Sequence, residues 1–134
     1  MEQWKNTLSR SVDLGRTGNL DEAIELVKSA LREAVESNDA IWVVTLARHA
    51  AVLSDAAGAL SAAEQYYQLA LRHSNEDPML HFALADLYKR QGNEELALRH
   101  ADSCRQLASI RSDQDVNELI ASRKDLFPAN GKLE

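Results

Sequence analysis

Apolar side chains between residues 20 and 35 stand at Leu20, Ala23, Ile24, Val27, Ala30, Leu31, Ala34 and Val35, steps of three and one that put them on one face of a helix. Asp21, Glu22, Glu25, Lys28, Arg32 and Glu33 fill the other face, which is a solvated one. Its charges are unselective neighbours: Glu25 and Lys28 attract across three residues, whereas Glu22 and Glu25 repel. Small Ala23 and Ala30 between larger residues let a second helix come close and seat its ridges in the gaps. A lone helix near ~12–15 residues is marginal in water, so the stripe requires a partner.

The same outline returns twice. GNLDEAIELVKSAL starts at Gly18, GALSAAEQYYQLAL at Gly58 and GNEELALRHADSCR at Gly92, each glycine followed five residues later by an alanine: Ala23, Ala63 and Ala97. A second helical segment precedes each glycine, about Gln3 to Thr17, Ala40 to Ala57 and Met79 to Gln91, and joins this short make antiparallel hairpins. The glycines stand where a helix stops and the chain reverses, a place that favours a residue tolerant of positive φ. Hairpins are therefore expected over about 3–37, 39–73 and 78–108. Glycine intervals of 40 and 34 residues are the period of a helical repeat array. The six extra residues of the first interval predict that the two helices flanking it each gain about a turn. IWVVTLARHAAVL, from Ile41 to Leu53, is apolar on more than one side, as fits a helix sandwiched inside a stack.

On these residues the chain resembles the tetratricopeptide-repeat family, whose unit of about 34 residues reads W-x2-L-G-x2-Y, then A-x3-F, then P. In the third copy His81, Leu84, Ala85 and Tyr88 take the W, L, G and Y places, and Ala97 and Ala101 the A and F places. The second copy keeps small Ala47, Ala50 and Ala51 in its first helix and Ala63, Tyr67 and Ala70 in its second; the first copy matches at Leu14, Ala23, Val27 and Ala30. The resemblance spans about residues 3 to 108, and the longer interval is similar to longer-helix members such as kinesin light chains. It implies an all-α, right-handed α-solenoid of three antiparallel helix hairpins whose concave surface is lined by the first helix of each pair.

Past the third copy, SDQDVNELIASRKDLF offers Ser112 as an N-cap with Asp115 three residues on, then Val116, Leu119 and Ile120 on one face. A C-terminal capping helix over about 113–126 is predicted, closing a single domain of residues 1–127, with 128–134 as a tail whose ANGKLE end frays. Composition agrees with an all-α chain, five glycines and two prolines among many Ala, Leu, Glu and Arg residues. A net charge of −6 works against nucleic acid as a partner. No run approaches the roughly 20 apolar residues of a membrane span, and MEQWKNTLSR lacks the apolar core of a signal peptide, so no membrane partner is expected. One cysteine, Cys104, cannot form an intramolecular disulfide; a reducing, cytoplasmic compartment is the simpler reading.

Chemistry-bearing motifs are sparse. GRTGN, Gly15 to Asn19, lacks the lysine of a phosphate loop and reads as a hairpin turn; there is no GxSxG elbow and no HExxH. His100 and Cys104 sit on neighbouring turns, but two ligands are too few for a metal site, and Cys104 stands where Ala30 and Ala70 stand, as a small buried residue. Asp113 with Asp115 and Glu94 with Glu95 fall at helix starts, where carboxylates favour the macrodipole. Trp4 and Trp42 are off the repeat's tryptophan places, each expected to cover a hairpin junction or, alternatively, to serve as an exposed anchor. No catalytic residue, cofactor or metal is expected.

What the resemblance implies is a groove. The family's inner positions fall here on Lys5, Leu8 and Val12, then Thr45, Arg48, His49, Val52 and Asp55, then Met79, Phe82, Asp86, Lys89 and Arg90. An apolar floor beside a few charges suits a peptide or a helix with an apolar ridge. The carboxylate clamp of chaperone-binding members is missing, its places holding Leu8, Val12, His49, Met79 and Ala83. A terminal carboxylate buried there without cations is costly. The expectation is thus a non-enzymatic module that binds a protein or peptide partner, the alternative being self-association as a homodimer through array ends or groove.

Overall fold

The computed structural model describes residues 2–128, and within them the chain is all-helical: α1 (Glu2–Arg16), α2 (Leu20–Glu36), α3 (Ala40–Ala56), α4 (Leu60–His73), α5 (Pro78–Arg90), α6 (Glu94–Arg111) and α7 (Gln114–Ser122). ANGKLE lies outside the described residues. The chain divides between Ser74 and Asn75 into two compact units. In the first, α1 packs on α2, α2 on α3 and α3 on α4; in the second, α5 packs on α6 and α6 on α7.

One turn recurs at five of the six helix junctions. Gly18, Asn38, Gly58, Gly92 and Ser112 each adopt positive φ, between 51° and 85°. The residue after each, Asn19, Asp39, Ala59, Asn93 and Asp113, donates its N–H five residues back, to Leu14, Ala34, Ser54, Tyr88 and Ala108 O at 2.8–3.1 Å. This is the Schellman arrangement, which pays off the orphan carbonyls of a helix end in three residues and leaves the last of them as N-cap of the next helix. Asp39, Asn93 and Asp113 complete it by accepting from Trp42, Leu96 and Val116 N–H. Glycine is the low-strain choice at the left-handed position, and Asn38 is the commonest substitute. The sixth junction differs: Ser74 has φ −149° and ψ 58°, neither helical nor left-handed, and Asp77 with Pro78 at the first helical position starts α5 anew.

In the first unit α3 carries seven buried residues, Val43, Leu46, Ala47, Ala50, Ala51, Leu53 and Ser54, because α2 and α4 flank it. Its sequence is apolar around more than one face for this reason. Both α2 and α3 run 17 residues against 15 for α1 and 14 for α4, which is where the longer glycine interval is absorbed. The recurring alanines are core: Ala23 and Ala63 are 0 % exposed and Ala97 is 5 %. Trp4 and Trp42 do not cover separate junctions. Their centroids lie 5.9 Å apart, and buried Trp4 donates its Nε1–H to Glu33 Oε1 at 3.1 Å, so one cluster ties α1, α2 and α3.

In the second unit a core of Ala85, Ala101, Cys104, Ala108, Val116, Leu126 and Phe127 joins α5, α6, α7 and the turn that follows α7. The capping helix is shorter than the pattern predicts, nine residues from Gln114, and its N-cap is Asp113, not Ser112. Ser112 is spent on the left-handed end of α6, which runs to Arg111 and so extends the third hairpin past residue 108.

Candidate groove and the residues around it

Leu8 and Val12 on α1 and Thr45, Arg48, His49 and Val52 on α3 line one open depression of about 340 Å³ in the first unit. These are six of the residues that the family positions single out in the first two hairpins. The i,i+4 spacing of Leu8 and Val12 sets both on one stripe of α1. Gly15 lets the end of α1 approach α3, since a Cβ there would stand 3.3 Å from Leu53 Cδ2. Val52 is 53 % exposed although apolar. Asp55, one turn beyond, is half-buried and does not line the depression.

His49 is held from below. Its Nε2 lies 2.9 Å from Ser11 Oγ, and that buried hydroxyl gives its only proton to Leu8 O at 2.7 Å. Nε2 therefore carries the hydrogen and donates to Ser11, leaving Nδ1 with the lone pair. Burial lowers the His49 pKa, which favours this neutral ring. A buried serine whose proton is already committed to a carbonyl is a positioning contact and not an activated nucleophile.

The same α3 stripe extends further than the family positions reach. Ile41 precedes Thr45 by four residues and Arg48 by seven, and it is 78 % exposed. It sits on the first turn of α3, within the segment gained by the longer interval, so a pattern carried over from shorter repeats has no place for it. The signal in the sequence was the early start of IWVVTLARHAAVL.

The third-hairpin residues that the resemblance singles out are engaged by their own unit. Phe82 stacks on Phe127, centroids 6.0 Å apart, with the Arg123 guanidinium 5.7 Å over its ring. Arg123 Nη2 also donates to Asp86 Oδ1 at 2.9 Å, and Asp86 accepts from Arg90 as well. Asp125 and Asp86 together hold Arg123 firmly protonated. Met79 packs on the core cluster, and Lys89 reaches both oxygens of Glu94 at 3.1 and 3.2 Å. Within the second unit, Met79, Phe82 and Asp86 thus serve to seat the segment after α7.

His100 does not face Cys104 as a ligand partner. Its Nδ1 lies 3.1 Å from His81 Nδ1, while His81 Nε2 donates to Asn75 O at 2.9 Å. A carbonyl only accepts, so with both rings neutral His81 Nδ1 is the acceptor and His100 Nδ1–H the donor. Tyr88 stacks on His100 with centroids 5.6 Å apart. Burial first, then the proximity of His81 and of the Arg99 charge, lowers His100 to about 4. Burial pushes the Cys104 thiol up to about 11, which keeps it a protonated core residue. Among the described residues no three His, Cys, Asp or Glu side chains stand together as a metal site, and no helix is long and apolar enough to cross a membrane.

The His100 shift makes an acid-sensitive core. Because the folded pKa lies below the unfolded value near 6.5, the unfolded chain binds the extra proton between those limits. The stabilisation is complete above pH ~6.5 and is lost as the pH falls toward ~4, by roughly 3 kcal/mol at most. Urea unfolding at pH 7 and pH 4 should show the wild-type chain losing more stability than His100→Gln by about that amount; parallel losses would contradict the assignment.

Compared with protein-family models and with curated proteins, the chain matches none of them.

Proposed function

We propose that the chain is a short helical-repeat protein of the tetratricopeptide type, a right-handed solenoid of hairpins that binds a peptide or partner surface and carries out no catalysis. The observation that carries the reading is the α1–α3 depression, in which residues from equivalent places of two successive hairpins converge on one apolar-floored surface with Arg48 and His49 at its side. The recurring turn supports the repeat reading, because the same backbone solution closes the first hairpin, opens the second and closes it again. The extra turn of α3 would lengthen the groove by Ile41. A ligand suited to it is an amphipathic segment that lays two or three apolar side chains along Leu8, Val12 and Val52.

The test is affinity capture with mass spectrometry, using the parent chain and a Val52→Asp, Ile41→Asp double variant. Both positions are more than half exposed, so the variant should keep its unfolding free energy within about 0.5 kcal/mol of the parent. The parent is expected to retain one or more proteins that the variant loses. Identical captured sets would end the groove reading, and sedimentation across a concentration series would reveal self-association as the alternative.

A further inference from the structure

A second depression, of about 420 Å³, opens between α2 and α4, with Leu31, Val35, Tyr66 and Leu69 forming apolar walls. The sequence pattern puts Val35 on the buried stripe of α2, yet it is 46 % exposed while Ala34 beside it is 0 %. Its flank is basic: Lys28 and Arg32 line the depression against one carboxylate, Glu36. In a chain of net charge −6 this is a local reversal of sign. Lys28 is bound only loosely, 3.5 Å from exposed Glu25, and Arg32 and the Tyr66 hydroxyl make no hydrogen bond or ion pair among the described residues. Apolar walls with an unengaged guanidinium and phenol at their edge are complementary to an apolar side chain followed by a carboxylate, which a guanidinium can grip through two hydrogen bonds.

We infer that the α2–α4 groove is a docking surface for an acidic amphipathic peptide, its apolar side chains set against Leu31, Val35 and Leu69 and its carboxylates on Arg32 and Lys28. This surface shares no residue with the α1–α3 groove and stands whether or not that groove binds a partner.

Two synthetic 14-residue helical peptides test it, one with a leucine stripe flanked by glutamates and the other with lysines in place of the glutamates. Methyl NMR of the full chain is expected to show the glutamate peptide shifting Leu31, Val35 and Leu69 and binding at least tenfold tighter than the lysine peptide. Arg32→Glu, an exposed change that should leave the melting midpoint in place, is expected to reverse that order. Equal affinities for the two peptides would overturn the inference, as would shifts confined to Leu8, Val12 and Val52. Movement of the Val35 and Leu69 signals with protein concentration alone would overturn it too, by making a second copy the occupant.

Discussion

Ala63→Glu is expected to abolish the cooperative melting of the four-helix unit. Ala63 is 0 % exposed, on the stripe of α4 that packs on α3, and a glutamate there is both too large and charged. Overpacking a filled site costs about 1–3 kcal/mol. Leaving the carboxylate buried without a cation costs several kcal/mol more, or forces it to take up a proton. Against a typical domain stability of about 5–15 kcal/mol the sum is enough to unfold most of the population. The readout is far-UV circular dichroism through a thermal ramp. Gln65→Glu, two residues on and exposed, serves as control and should melt within about 0.5 kcal/mol of wild type. An unchanged midpoint for Ala63→Glu would mean that α4 does not pack through this alanine.

Phe127→Ala is expected to cost about 3–5 kcal/mol in the second unit, the usual range for truncating a buried phenylalanine. Phe127 is 4 % exposed although it follows the last helix. It is enclosed by the Phe82 ring on α5 and the Arg105 guanidinium on α6, which stands 5.5 Å from its centroid. Arg105 Nη2 also donates to Pro128 O at 3.2 Å, so the backbone is held on the far side as well. Removing the ring opens a cavity beneath α7 and exposes the alanine and cysteine surface of α6. Urea titration of Phe127→Ala alongside exposed Lys124→Ala separates the two contributions. A loss below about 1 kcal/mol for Phe127→Ala would show that the segment after α7 adds little to the unit.

Helix positions were legible because each stripe fixes its own phase. Segments read as Gln3 to Thr17, Ala40 to Ala57 and Met79 to Gln91 fold as Glu2–Arg16, Ala40–Ala56 and Pro78–Arg90. The left-handed turns at Gly18, Gly58 and Gly92 were legible for the same local reason. Those at Asn38 and Ser112 were not, since neither residue is obliged to adopt positive φ and Ser112 makes an equally good cap on paper. What decided between Ser112 and Asp113 was how far α6 continued, and a stripe as polar as that of α6 marks its end poorly. The candidate groove divides along similar lines. Leu8, Val12, Thr45, Arg48, His49 and Val52 came from positions carried over by resemblance and do meet around one depression. Phe82 and Asp86 came from the same positions, but their contacts with Phe127 and Arg123 span 45 and 37 residues, a distance at which helical periodicity carries no information. The exposure of Val35 escaped notice likewise, because a stripe reports which residues share a face and not whether a neighbour covers the whole of it.

The turns at Gly18 and Gly58 have interchangeable backbones, with φ of 85° and 81° and the same pair of hydrogen bonds. Excising the forty residues Asn19–Gly58 would therefore splice Thr17-Gly18 to Ala59-Leu60 at a seam whose dihedral angles already exist in the native chain. Growth or loss by whole segments is a change that the peptide geometry permits without a new joint at these two turns, whereas the link at Ser74, with φ −149° and ψ 58°, is not interchangeable with them.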